Sequence, residues 1–445
     1  MQSDMARLNL IEALKKAGNK LPVSAAPELG AAVHWTPSEN LPVHRWFRYR
    51  EGFSPYLLEH FANAKHRLDP FCGCGTTLLE SSMRGRHSYG IDINPLATFV
   101  TRTKTRHYTT SDRQAFIRLS AEVIQEYRHC PPTALPSYEL LNKLFLPESI
   151  NTLLRINNCI SNVKEEKVKN LLFLVWLSIL EESSNVFKEG NGLKYRNKRR
   201  KPGKYITVSD KEWIPKHFGD DIQTFIKNLW NQKCSQVAED MATFKIPDGY
   251  TPRVRTGSSL KKENLDFDVP MDLAIFSPPY ANRFDYFEAF KMELWMGNFV
   301  SSSKDISLLR KDSMRSNLAA KRFSSDKCWI ELSPFLDCMD ENASSVRMGI
   351  KQALQGYFHD TRILLHNLKD VLTKKGRVVI VVGNSAYAKS IIPTDLLIAK
   401  LGQEEGYNVQ AVKVARSLHV SSQQRSSLSH LKNFMRESVV ILERN

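Results

Sequence analysis

Ser277, Pro278, Pro279 and Tyr280 follow directly on an apolar run at residues 273–276. The run reads as a buried strand, and two consecutive prolines cannot extend a hydrogen-bonded ladder, so the quartet belongs at the strand's C-terminal lip. In an open α/β sheet that lip is where ligands bind. Neither proline has an N–H to close a normal turn, so backbone carbonyls face outward, with the Ser277 hydroxyl before them and the Tyr280 ring after. Such a lip can hold a planar amine. The exocyclic nitrogen of cytosine or adenine is a poor nucleophile because its lone pair is delocalised into the ring. A serine oxygen and the Pro278 carbonyl, each accepting an N–H, favour the pyramidal form, while Tyr280 stacks on a base swung out of its helix.

A second constellation lies about 200 residues upstream. Asp69, Pro70, Phe71, Gly73, Gly75 and Thr76 end one apolar stretch and open a helical one; a further strand pattern then runs into Asp92, Ile93, Asn94 and Pro95. The order is strand, glycine turn, helix, strand, acid. The glycines let backbone approach a ligand closely, and the acid can take the two hydroxyls of a ribose. By itself this pattern serves dinucleotide and sulfonium cofactors alike. Just before it, residues 46–57 are rich in aromatics; Ser54 is placed to cap a helix with Pro55 in its first turn, running through Phe61.

Together these stretches resemble the amino-directed DNA methyltransferases. Ser277-Pro278-Pro279-Tyr280 is similar to their SPPY motif, the cytosine-N4 type in particular. Asp69 to Thr77 and Gly90 to Pro95 look like motifs I and II, and Phe53-Ser54-Pro55-Tyr56-Leu57 looks like motif X. The resemblance covers residues 46–107 and 251–445, and implies S-adenosylmethionine as cofactor, bound by Phe53, Ser54, Pro55, Asp69, Phe71, Gly73, Gly75, Thr76, Asp92 and Ile93. It implies catalysis by Ser277, Pro278, Pro279 and Tyr280, with no metal and no covalent nucleophile. The absence of a Pro-Cys dipeptide argues against carbon-5 methylation of cytosine. At the place of motif III many relatives carry an acidic residue after the glycine to hold the adenine amine; here Ser258 follows Gly257. The implied activity is site-specific methylation of cytosine N4 in double-stranded DNA, beside a cognate restriction endonuclease. Adenine N6, an RNA base amine, or a silent nucleic-acid binder are the alternatives.

Composition bounds the rest. The 445 residues suffice for two or three domains, and Lys plus Arg exceed Asp plus Glu by 63 to 47, a net charge of +16 that favours a polyanionic partner. The seven cysteines include no CxxC pair, so neither a disulfide framework nor a zinc site is expected and a reducing cytoplasm is the default. The apolar run at 171–180 is too short to cross a bilayer, and a soluble protein with no membrane association is expected.

The expected fold is α/β: a Rossmann-like methyltransferase sheet, mostly parallel with an antiparallel C-terminal strand, carrying a large, mainly helical insert. Residues 1–45 read as an N-terminal arm, 46–107 and 251–445 as the catalytic domain, and 108–250 as the insert and candidate target-recognition region. Helical periodicity is expected at 111–128, 147–157 and 164–187, and no run of strands. Within the insert lies a glycine-flanked basic stretch, Lys194, Tyr195, Arg196, Lys198, Arg199, Arg200, Lys201 and Lys204, expected as a loop that meets phosphates and bases. Asp285 and Tyr286 can line a base pocket, or cap and pack the following helix, the second being favoured. Residues 300–345 are expected as a loop excursion near the substrate, and 417–432 as another loop touching DNA. Between these, a helix at 352–372, a strand at 376–384, a helix at 393–405 and closing strands at 409–415 and 438–443 complete the sheet.

Overall fold

A computed structural model describes the chain apart from residues 1, 37–38, 50–51, 137, 191, 202–203, 283, 317–322, 324–327 and 419–427. Its strands, in chain order, are β1 (Val23–Ala25), β2 (His66–Asp69), β3 (His87–Asp92), β4 (Val186–Glu189), β5 (Gly192–Tyr195), β6 (Lys198–Lys201), β7 (Lys204–Thr207), β8 (Arg253–Thr256), β9 (Met271–Phe276), β10 (Leu372–Gly383), β11 (Ser385–Tyr387), β12 (Ser390–Ile392), β13 (Tyr407–Ser417) and β14 (Arg436–Arg444). Eight of them form the central sheet in the order β1-β13-β14-β10-β9-β2-β3-β8. Only β14 runs against its neighbours; the β1–β13, β10–β9, β9–β2, β2–β3 and β3–β8 pairs are parallel. The chain therefore has the α/β sheet expected of it, mostly parallel and closed by an antiparallel C-terminal strand.

The central strands read as unbroken apolar runs because both faces are covered. Leu273 and Ile275 of β9, with Val379 and Val381 of β10, join Phe53, Leu57 and Leu58 on one face. Ala274 and Phe276, with Val378, Ile380 and Val382, join the long helix Ile350–Val371 and the helix Thr394–Glu404 on the other. The segment expected as an arm supplies helix α1 (Gln2–Gly18) and the edge strand β1, paired in register Val23↔Val412.

The insert is built on helices Thr110–Glu126, Pro147–Ser161, Glu166–Ile179 and Ile222–Thr243. Its apolar core is continuous with Trp46, Phe47, Tyr49 and residues 284–300 of the catalytic half. Asp240, buried on the last insert helix, accepts from the backbone of Val43 and the indole of Trp46, which fixes the 43–49 segment against the insert.

Four expectations are corrected. The basic stretch is not a loop: β4–β5 and β6–β7 are antiparallel hairpins, the first turning where Gly190 takes a positive φ, so strands do occur in the insert. The helix expected to reach Phe187 stops at Ile179, ahead of β4. Ser54 is not the N-cap: the helix after it, α2 (Tyr56–Glu59), is a single turn with Pro55 at its N-cap, does not reach Phe61, and takes from Ser54 only a long contact, the Tyr56 amide donating to its Oγ at 3.5 Å. Cys130 and Cys159 form a disulfide across 29 residues, a pairing invisible in a sequence without close cysteine spacing. The 300–345 region also contains helix Ser303–Asp312 and two shorter helices. Of the loop at 417–432, residues 419–427 lie outside the described residues. No helix among the described residues is long and apolar enough to cross a membrane.

Candidate active site

Strand β2 delivers Asp69 to the sheet's C-terminal edge, where Pro70 ends the ladder and the chain turns through Phe71 to Gly75 into α3 (Thr76–Met83). Gly75 sits at φ 87°, and a methyl on it would lie 2.8 Å from the Thr101 side chain. Only glycine meets both conditions. Thr101 in turn donates to the Gly73 carbonyl at 2.8 Å, so helix α4 (Pro95–Lys104) fixes the turn from behind.

Strand β3 delivers Asp92 beside this turn. One of its oxygens accepts the Gly73 amide at 2.9 Å, the other the Asn94 amide at 2.8 Å. Asp69 is held the same way, by the Phe71 amide at 3.0 Å and the Thr77 hydroxyl at 2.6 Å. Burial outweighs these donors, pushing Asp69 up to about 7 and Asp92 up to about 6. Asn94 accepts from Leu96 through its side-chain oxygen and so caps α4, while its amide nitrogen is buried without a hydrogen-bond partner.

On the next strand, β9 ends at Phe276, and Ser277 to Tyr280 form the lip beyond it. The glycine turn and the lip open on one cleft. Of the residues nominated from sequence, Phe53, Asp69, Phe71, Gly73, Thr76, Asp92, Ile93, Ser277 and Pro279 line it together. Ser54 and Pro55 are buried behind Phe53, and Gly75 shapes the turn without lining the cleft. Pro278 is buried. Tyr280 points toward the neighbouring strand: its ring lies against Gly383, where a methyl would come within 3.1 Å, and its hydroxyl donates to Glu437 Oε1 at 2.9 Å.

Several wall residues were not nominated. Tyr49 stands over the glycine turn, stacked on Phe290 at 4.6 Å and on Tyr286 at 6.0 Å between ring centres. Burial, with Asp92 nearby, raises its phenol well above the ordinary value. Its signal was the aromatic density of residues 46–57. Asn94, Phe284, Phe287, Ser313, Met314 and Ser316 also line the walls. Asp285 caps the helix after the lip, accepting from Phe287 and Glu288, and pairs with Arg310, whereas Tyr286 lines the cleft. The Ser258 hydroxyl donates to the Asp312 carbonyl at 2.6 Å, so it is committed to holding a neighbouring segment.

The first hairpin reaches this region through Lys188, a buried residue paired with the buried Glu293 and seated over Phe290 at 4.3 Å. Of the basic side chains, Lys194, Lys198, Arg199, Lys201 and Lys204 are exposed, with Tyr195 half-buried. Arg196 is spent internally, on the carbonyls of Ser184 and Glu181 and the carboxylate of Glu182. The side chain of Arg200 lies outside the described residues.

The residues suit the cofactor that the sequence implies. Asp92 can accept ribose hydroxyls, the unpartnered Asn94 amide is a spare donor at the same edge, and the stacked Tyr49 offers an aromatic face to a cation.

No family model matches the chain. Curated relatives do. The type II methyltransferase M.BsoBI of Geobacillus stearothermophilus is 26% identical over 464 aligned residues, spanning 93% of this chain and 87% of the relative. M.AvaI of Nostoc sp. is 25% identical over 92% of this chain and 88% of its own length. M.MvaI of Kocuria varians is 24% identical over about half of each, 54% and 53%. The similarity runs almost end to end, so the chain resembles type II methyltransferases across the glycine turn, the insert and the lip alike.

Proposed function

We propose that this DNA methyltransferase moves a methyl group from S-adenosylmethionine to cytosine N4 at a specific site in double-stranded DNA, as part of restriction-modification in the cytoplasm alongside a cognate endonuclease. The observation that carries the reading is the single cleft shared by Asp92, Gly73, Ser277 and Pro279. When bound, the cofactor supplies an electrophilic methyl on a sulfonium. Asp92 would accept its ribose hydroxyls, with the Asn94 side-chain nitrogen as a donor beside them, and Phe53 and Tyr49 would wall off water. Ser277 Oγ and the Pro278 carbonyl accept the two amine hydrogens, which draws the nitrogen lone pair out of the ring. Bound S-adenosylmethionine would supply the methyl that this nitrogen takes, its sulfur keeping the bond pair, and Ser277 Oγ would pass the surplus amine proton to water. Proximity and a dry pocket supply the remaining acceleration.

Cytosine is preferred over adenine because serine stands before the prolines, as in the cytosine-N4 relatives it resembles. The exposed Lys194, Lys198, Arg199, Lys201 and Lys204 of β5 to β7 are assigned to DNA phosphates. Mapping modified bases in DNA from an expressing host tests both target and base: N4-methylcytosine at one recurring sequence supports the reading, and unmodified DNA refutes it.

A further inference from the structure

One wall of the cleft comes from a part of the chain that no motif marks. After helix Ser303–Asp312, Ser313, Met314 and Ser316 face the cleft, and Arg315 alone of the four turns away. Its guanidinium runs to Asp360 on the helix Ile350–Val371, with Nε 2.9 Å from Oδ2 and Nη2 on Oδ1, and its own backbone N–H donates to the same Oδ2 at 2.8 Å. Asp360 is 1% exposed, so a charged, two-pronged grip has been placed in the interior, where it resists loosening by water. One helical turn earlier, Gly356 leaves the room the arginine needs: a methyl there would sit 2.9 Å from Arg315 Cδ and 3.2 Å from Phe323. At the other end Asp312 is held by the Ser258 hydroxyl on its carbonyl and by Lys261 on its carboxylate at 2.7 Å.

We propose that residues 313–316 are a strap across the cofactor cleft, latched by Arg315 on Asp360 through the slot at Gly356 and anchored by Ser258 at Asp312. This rests on the cofactor reading above and assigns the strap to holding the nucleoside cofactor in place. Arg315 and Asp360 are positioning residues, since neither lines the cleft. Ser258, which stands where relatives carry an acid, serves the cofactor indirectly by fixing the strap.

The test is calorimetric titration of S-adenosylhomocysteine into the full chain and into Arg315→Ala, Arg315→Lys and Gly356→Ala, with a melting curve for each. Expected is a dissociation constant raised tenfold or more in Arg315→Ala, an intermediate value in Arg315→Lys, and a clear rise in Gly356→Ala although alanine favours the helix. A purely structural latch would lower the melting temperature and leave the affinity of the folded protein alone. Affinities within twofold of the parent in both alanine variants overturn the strap; should Arg315→Ala fail to fold, Gly356→Ala decides. A parent that binds no S-adenosylhomocysteine overturns the functional reading itself, a result distinct from equal binding by parent and variants.

Discussion

The Tyr280 hydroxyl donates to Glu437 Oε1 at 2.9 Å, tying the lip after β9 to β14 across the intervening β10. Glu437 is buried and also receives Arg416. The orientation of the lip is thus set from the far end of the chain. Tyr280→Phe keeps the ring and loses one hydrogen bond to a carboxylate, so a stability loss of about 1.5–3 kcal/mol is expected in urea titration. In the proposed mechanism Ser277, which lines the cleft, contacts the amine, and Ser277→Ala removes that contact. Its transfer rate in a single turnover should fall by about 10²-fold or more, the scale of losing one oxyanion-type donor or acceptor, with cofactor affinity unchanged. Retained transfer would remove Ser277 from the mechanism.

Two buried carboxyls give the protein a distinctive pH response. Asp92 is raised to about 6 and Asp69 to about 7, each mainly by burial. Both exceed their unfolded value, so the folded state keeps protons that the unfolded chain has lost. Their contribution to stability is complete below about pH 4 and disappears as pH rises through 6 to 7, at roughly 3 kcal/mol for Asp92. Denaturant melts of the cofactor-free protein should show this decline, and Asp92→Asn should flatten its lower part. Cofactor affinity should run the other way, climbing through about pH 6 as Asp92 ionises to accept hydroxyls.

The glycine turn admits no methyl at Gly75. With φ at 87° and Thr101 2.8 Å away, Gly75→Ala combines left-handed strain with overpacking, about 2–4 kcal/mol in total. Loss of both stability and cofactor binding is expected, measurable by thermal shift with and without S-adenosylhomocysteine. An alanine variant as stable as the parent would mean the turn is shaped otherwise.

On the hairpins, exposure separates two kinds of basic residue. Replacing Lys194, Arg199 and Lys204 by Gln should weaken DNA binding and reduce the slope of log affinity against log salt by about 0.9 for each phosphate left without its cation. Arg196→Gln should instead loosen the fold, because its guanidinium binds Ser184, Glu181 and Glu182. Filter binding across a salt series, with melting curves, distinguishes the two.

What could be read from the sequence was local. The strand, glycine turn, helix and acid at 66–95 announce themselves within thirty residues, and the proline pair marks the end of β9 without any partner. The Cys130–Cys159 bond, the Arg315–Asp360 latch, the Tyr49 wall and the Tyr280–Glu437 tie join residues far apart in the chain, and no periodicity records such pairs. The basic stretch reads as a solvated loop from its charge and glycine content, although Leu193 and Tyr195 on either side of Lys194 have the period of a strand.

On the proposed reading, the cleft joins a cofactor turn to an amine-holding lip. Its most direct test is incubation of the full chain with methyl-tritiated S-adenosylmethionine and double-stranded DNA, followed by digestion to nucleosides and chromatography. Expected is label in N4-methyldeoxycytidine, incorporated about 10²-fold or more slowly by Ser277→Ala. DNA that takes up no label, or label found in 5-methyldeoxycytidine, would contradict it.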